Sequence, residues 1–371
     1  MPQFEIRACR PDDLPEVVDL LLRGGRAADG VTVEQIRDYA HRVYFENPWV
    51  REDIPSLVSV DLRGRIEGFA GVIPRMMKYK GERISVAVPG NFVVRANEEG
   101  KTNAMAAIAL MKRFSSGPQD ISISDTANDL SRRLWESVGS IAPAAYSLEW
   151  FRPIAPATAI MKMMENVRRR PMPFARAMRL SAATADLLGK PLLARMVKNK
   201  QLPFATEAMT ADSLLEVLES RDRHHDIRGD YTPDMVGWLL DRIGEKARAQ
   251  TVRRAIVLDD LGRRVGAYIY RLYADGVAEV LLAVAREGKY DTVFNALIGD
   301  ATGMKATVVT GTVQPRYLPT YRAHRCLMLC NQWTLVHSRR PELLDAFSRG
   351  RALFTTLDGE RWTHFDDMFA I

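Results

Sequence analysis

The chain has 371 residues, 47% of them apolar, enough for two domains of ordinary size with separate cores. Its three cysteines form no C-x-x-C pair and its six histidines lack zinc-finger spacing to them, which argues against a disulfide scaffold or metal module and for reduced, structural thiols. The net charge of +6 is concentrated: residues 1–152 carry −1, residues 153–203 carry +8 and residues 204–371 carry −1, so the basicity marks one central stretch and no nucleic-acid-binding surface is expected.

The opening MPQFEIRACRPDD has no apolar h-region, and no apolar run reaches the length of a spanning helix, so a cytoplasmic protein is expected. A strand at 4–6 and helices at 12–23 and 33–46 come first. Three strands follow in hairpins turning at Arg63-Gly64 and Lys80-Gly81. The apolar stretch 84–94 is broken at Pro89-Gly90, which predicts a bulge or bend in a strand. Residues 93–110, VVRANEEGKTNAMAAIAL, then read as strand end, polar loop and helix of small residues. That layout can hold a diphosphate, because a helix N-terminus offers unpaired N–H groups and a positive dipole end. Gly100-Lys101-Thr102 suggests a nucleotide P-loop, but Arg95 stands where that motif needs its first glycine, and no Asp for magnesium is evident. A strand at 121–124, a helix ending near Gly139 and a strand at 146–151 complete the first half.

The basic middle segment, 153–203, mixes Arg and Lys with Met and Leu around Pro171 and Pro173, and Phe174 is its one aromatic residue. Three uses fit it: a connector packed on both halves, a peripheral contact with the inner membrane surface, or a dock for an acidic acyl carrier protein or nucleotide. The second half repeats the order of the first: strand 204–209, helices 213–220 and 232–243, strands 255–258, 265–272 and 278–284, helix 292–301, strand 306–310 and a mixed tail. Asp61-x-x-Gly64-Arg65-x-x-Gly68 and Asp259-x-x-Gly262-Arg263-x-x-Gly266 share one turn pattern, as a repeat would. After the fourth strand of this half, residues 285–291 are too short for a full diphosphate loop.

The stretch 94–104 resembles the coenzyme A loop of the GNAT superfamily of N-acetyltransferases, V-x-P-x-x-R-G-x-G-x-G/A. Val94 falls on its strand position, Ala96 on the proline, Glu99 on the arginine, and Gly100, Thr102 and Ala104 on the small positions. Glu99 is thus a carboxylate where the family has an arginine or glutamine, and Thr102 replaces the middle glycine. Residues 128–139 resemble the family's N-x-x-A-x-x-L-Y-x-x-x-G, with Ser131, Leu134 and Trp135 on one helical face. Trp135 stands where many members carry a tyrosine acid, and an indole N–H cannot serve as that acid at neutral pH. Tyr44-Phe-Glu-Asn47-Pro48 further resembles a motif of bacterial acetyltransferase-like proteins of polysaccharide and envelope gene clusters; read alone, Asn47-Pro48 is a helix stop.

This resemblance implies an α+β protein of two tandem GNAT-like domains with mixed, mainly antiparallel sheets: 1–152, a linker at 153–203, and a degenerate copy at 204–371. It implies acyl-CoA, such as acetyl-CoA, as co-substrate, no metal, and acyl transfer by the N-terminal half to the amine of a small-molecule acceptor, an amino sugar or amino acid. In the family a splay between the fourth and fifth strands admits the thioester, and fourth-strand N–H groups bind its carbonyl. The implied cofactor-binding residues are Phe92, Val94, Gly100, Lys101, Thr102, Asn103, Ala104 and Asn128. Asn91 and Asn128 are the nearest polar candidates for the chemistry, with Trp135 at the acid's position and the base unassigned; a carboxylate reaching across from the second half is a further source. The departures at Glu99, Thr102 and Trp135 also fit a non-catalytic scaffold.

Overall fold

The computed structural model describes residues 4–23, 32–96, 103–155, 205–220, 224–245 and 250–363. The first half runs β1 (Phe4–Ala8), α1 (Leu14–Arg23), α2 (Val33–Tyr44), β2 (Leu57–Asp61), β3 (Ile66–Tyr79), β4 (Glu82–Val94), α3 (Ala104–Ser115), β5 (Ile121–Ala127), α4 (Asp129–Glu136) and β6 (Glu149–Pro153). The second runs β7 (Thr206–Ala208), α5 (Ala211–Ser220), β8 (Ile227–Gly229), α6 (Pro233–Glu245), β9 (Gln250–Leu258), β10 (Arg264–Tyr273), β11 (Val277–Ala285), α7 (Tyr290–Gly303) and β12 (Val308–Thr312), then α8 (Leu318–Ala323), β13 (Leu327–Leu329), β14 (Trp333–His337) and α9 (Pro341–Ser348).

Local chemistry sets many of these boundaries. Thr32 and Gln35 form a capping box that opens α2; Asn103 and Asn128 cap α3 and α4, each accepting a backbone N–H through its side chain. The repeated turns are alike in detail. Asp61 Oδ1 accepts the N–H groups of Arg63 and Arg65, Asp259 Oδ1 those of Leu261 and Arg263, and Gly64 and Gly262 both take positive φ.

Two mixed sheets result, ordered β1-β2-β3-β4-β5-β14 and β13-β6-β12-β11-β10-β9-β7, with β8 added beside β3. In each, one central pair is parallel, β4 with β5 and β11 with β12, and the other pairings are antiparallel. The halves exchange one strand each. β6 enters the second sheet between β12 and β13, and β14 closes the first against β5. The α+β, tandem architecture expected from the sequence is therefore present, with an interlock that a linear reading does not contain.

Helices α1 and α2 cover one face of the first sheet through Val17, Leu21, Tyr39 and Val43, and α3 and α4 cover the other through Leu110, Phe114 and Trp135. In the second half α7 packs on an aromatic core of Trp150, Phe294 and Tyr321. A cluster containing Trp49, Leu353, Leu357 and Trp362 joins the halves. Residues 352–363 run as a buried strap between the two sheets: Leu357 N–H donates to the Leu281 carbonyl, and the Tyr39 hydroxyl donates to the Thr363 carbonyl.

Candidate active site

Strands β4 and β5 pair only at Val86 with Ile121 and Ala87 with Ser122, and then diverge into a wedge. Both walls of the wedge carry bulges. On β4 the register against β3 shifts between Ala70 and Gly71, which makes Asn91 the bulged residue, with φ of 61°; on β5 the register against β14 shifts beside Asp125 and Thr126. Bulges re-aim side chains and end ladder pairing, and here they do so on facing strands.

Asn91 is buried, and its Nδ2 donates to the Tyr44 hydroxyl at 2.9 Å, which donates in turn to the Gly90 carbonyl at 2.9 Å. Gly71 makes room for this arrangement, since a Cβ there would overlap the Gly90 carbonyl and the Tyr44 ring. On the opposite wall Asp125 is 2% exposed. Its Oδ1 accepts the N–H groups of Glu360 (2.8 Å) and Arg361 (3.3 Å), while its Oδ2 has no hydrogen-bond partner. Burial pushes the Asp125 carboxyl above the usual carboxylate range, opposed by the Arg361 charge and those two N–H groups. Glu360 lies across β5, accepting from the hydroxyls of Ser124 and Thr126. The strap thus brings a carboxylate of the second half onto the fifth strand of the first.

The other residues singled out in the sequence divide by position. Phe92 and Val94 lie on β4 beyond the last β5 pair, opposite Ala70 and Gly68. Asn103 caps α3 and Ala104 is its first residue, at the open end of the wedge. Gly100, Lys101, Thr102 and Glu99 lie outside the described residues, as does most of the basic middle segment. Asn128 spends its side-chain oxygen on the Ser131 N–H as the cap of α4. Trp135 is 3% exposed and sits edge-on to Phe114 at 5.8 Å, within the core. Sequence reasoning missed Tyr44, Asp125 and Glu360. Tyr44 opens the aromatic motif already noted, and Asp125 follows the residue at which the strand was expected to stop.

Among the described residues no group of three or more His, Cys, Asp or Glu could hold a metal ion, and no helix is long and apolar enough to cross a membrane. Burial pushes the thiols of Cys9 and Cys326 up to about 12, which leaves them unreactive.

No family model and no curated protein matches the chain in sequence. In fold it is similar to a GCN5-related N-acetyltransferase from Anabaena variabilis ATCC 29413 (TM-score 0.55, 12% identity, 90% of this chain and 72% of that one). It is also similar to a probable N-acyltransferase of unknown function from Enterococcus faecalis V583 (0.54, 12%, 90% and 72%). A third likeness is to Saccharomyces cerevisiae N-myristoyltransferase with bound myristoyl-CoA (0.50, 11%, 91% and 79%). The fold is that of the GNAT and N-myristoyltransferase proteins, and the GNAT likeness is the one that the sequence motifs implied.

Proposed function

We propose that this protein transfers an acyl group from a coenzyme A thioester to the amine of a small acceptor, an amino sugar or amino acid, using the wedge between β4 and β5. The observation that carries this reading is the pair of facing bulges, which opens the strands and sets the Asn91–Tyr44 pair opposite a buried carboxylate. In this reading the 1–152 half supplies the catalytic site. Phe92 and Val94 pair with the pantetheine arm, and residues 100–104, capped by Asn103, take the pyrophosphate at the N-terminus of α3. The likeness to a protein solved with myristoyl-CoA supports an acyl-CoA donor.

The acceptor nitrogen attacks the thioester carbonyl carbon, a C–N bond forms, the C–S bond breaks and coenzyme A leaves as its thiolate. The proton lost from the amine goes to a carboxylate, and Asp125 is the group we assign. A carboxyl held above its ordinary range is a better proton acceptor from an ammonium than an exposed one.

The test is calorimetric titration with acetyl-CoA and a long-chain acyl-CoA, repeated on Gly100→Glu, followed by thiol release for wild type and Asp125→Asn. Binding that Gly100→Glu abolishes is expected. Asp125→Asn keeps an oxygen for the strap N–H groups, so it should fold and bind thioester while kcat drops about 100-fold or more. Failure to bind either thioester would move the assignment to a scaffold or an acyl-carrier-protein-dependent enzyme.

A further inference from the structure

Arg75, on β3, is 4% exposed, and its Nε, Nη1 and Nη2 atoms have no hydrogen-bond partner. The guanidinium lies 3.9 Å from the Trp49 ring centre, with the Trp362 ring at 5.7 Å. The carboxylate in its vicinity is turned elsewhere: Asp358 Oδ1 accepts from the Tyr231 hydroxyl, and its Oδ2 accepts from the N–H (2.8 Å) and hydroxyl (2.7 Å) of Thr355. Stacking on a ring covers the face of a guanidinium and leaves its donors unsatisfied at the edge. A buried cation whose donors are all unused is a costly feature for a fold to keep without return.

The aromatic motif read in the sequence builds this position. Asn47 Nδ2 donates to the Val43 carbonyl at the end of α2, and Asn47 Oδ1 accepts the Trp49 N–H. Trp49 is then fixed edge-on to Trp238 at 5.5 Å, and Trp238 edge-on to Trp362 at 5.9 Å. Two tryptophans, Trp49 and Trp362, therefore flank one arginine between the halves, and Trp238 meets both of their rings. The same strap that supplies Asp358 and Trp362 here carries Glu360 into the wedge.

We propose that Arg75 is the receptor for a carboxylate on the amine acceptor, which makes the acceptor a carboxylate-bearing amine such as an amino acid and not a neutral amino sugar. The planar fork of an arginine matches a carboxylate with two parallel N–H donors, a match that a lysine or a neutral amide cannot reproduce. This assignment rests on the acyl-transfer reading for the acceptor's identity, but not for the binding of a carboxylate.

The experiment measures the unfolding temperature of wild type and Arg75→Met with acetate, with each common amino acid and with each corresponding carboxamide, with no thioester present. At least one carboxylate should raise the wild-type value while its carboxamide does not, and Arg75→Met should be indifferent to both. If no carboxylate acts, or if Arg75→Met responds as wild type does, the proposal is overturned. Should Arg75→Met not fold, Arg75→Lys keeps the charge without the fork and should lose most of the response. With an active acceptor, Arg75→Lys should raise its KM by about 100-fold with little change in kcat. Carboxylate binding without thiol release from any acceptor would remove the acyl-transfer reading and leave the carboxylate receptor standing.

Discussion

The two halves present the same bulge on the same strand, and they use it in opposite ways. On β4 the bulged residue is Asn91, in the left-handed region, flanked by Gly90 and facing Gly71. On β11 the register shifts at the corresponding place, and Leu281 is the bulged residue, between Val280 and Leu282, with Tyr270 opposite. Beyond the bulge β4 and β5 diverge around polar walls. β11 and β12 are paired from Val277 to Val280, up to their bulge, and the space past them is filled. Trp150 stacks on Tyr321 at 5.5 Å and meets Phe294 edge-on at 5.1 Å, while Tyr290 lies flat on Tyr317 at 3.6 Å. A cavity of about 10 Å³ remains, about the least that could hold a water. The two halves thus share a topology and differ in what lines the splay: polar side chains in the first, an aromatic core in the second.

The comparison can be broken first at Trp150. Replacing it with Ala should cost about 3–5 kcal/mol of stability, since the ring is fully buried, yet leave thioester affinity unchanged; denaturant unfolding and calorimetry on one preparation would decide it, and a lost affinity would mean that the second splay takes part in binding. Gly71→Ala pushes on the Gly90 carbonyl and the Tyr44 ring together, so a loss of about 1–3 kcal/mol should come with weakened thioester binding. Unchanged binding would detach the β4 bulge from the site. The smallest effect is a pH dependence. Because Asp125 is raised in the folded state, the folded protein holds its proton where the unfolded chain has released it, and stability should fall as pH climbs from the ordinary carboxylate range through the raised value. Asp125→Asn should flatten that decline in unfolding curves taken across the range.

Much of this was legible in the chain. The hairpins at Arg63-Gly64 and Lys80-Gly81 follow from glycines at positive φ, and the repeated Asp61 and Asp259 turns match bond for bond. Pro89-Gly90 marked the bulge one residue early. The strand exchange could not be read, because β6 and β14 are ordinary short strands and nothing within either names its distant partner. Asp125 was missed for a physical reason as well. A charged residue at the end of an apolar run reads as the edge of a strand, and only the strap, 235 residues further on, shows that it is buried. The strap itself looked like an irregular tail, although Trp362, fully buried there, is one of its firmest anchors.

The exchange of β6 and β14 also dictates when this protein can fold. The chain emerges from the ribosome N-terminus first, yet β5 keeps a bare hydrogen-bonding edge until residues 333–337 have been made. β6, finished much earlier, must wait for β12 before it has any sheet to join. The N-terminal half is thus a nascent domain that cannot be sealed until residues 333–337 have been made, and long-range pairing of that kind is slow to form. Splitting the chain at its basic middle would strand one strand on each wrong fragment. The two pieces would be expected to regain structure only when mixed, each returning the strand that the other lacks.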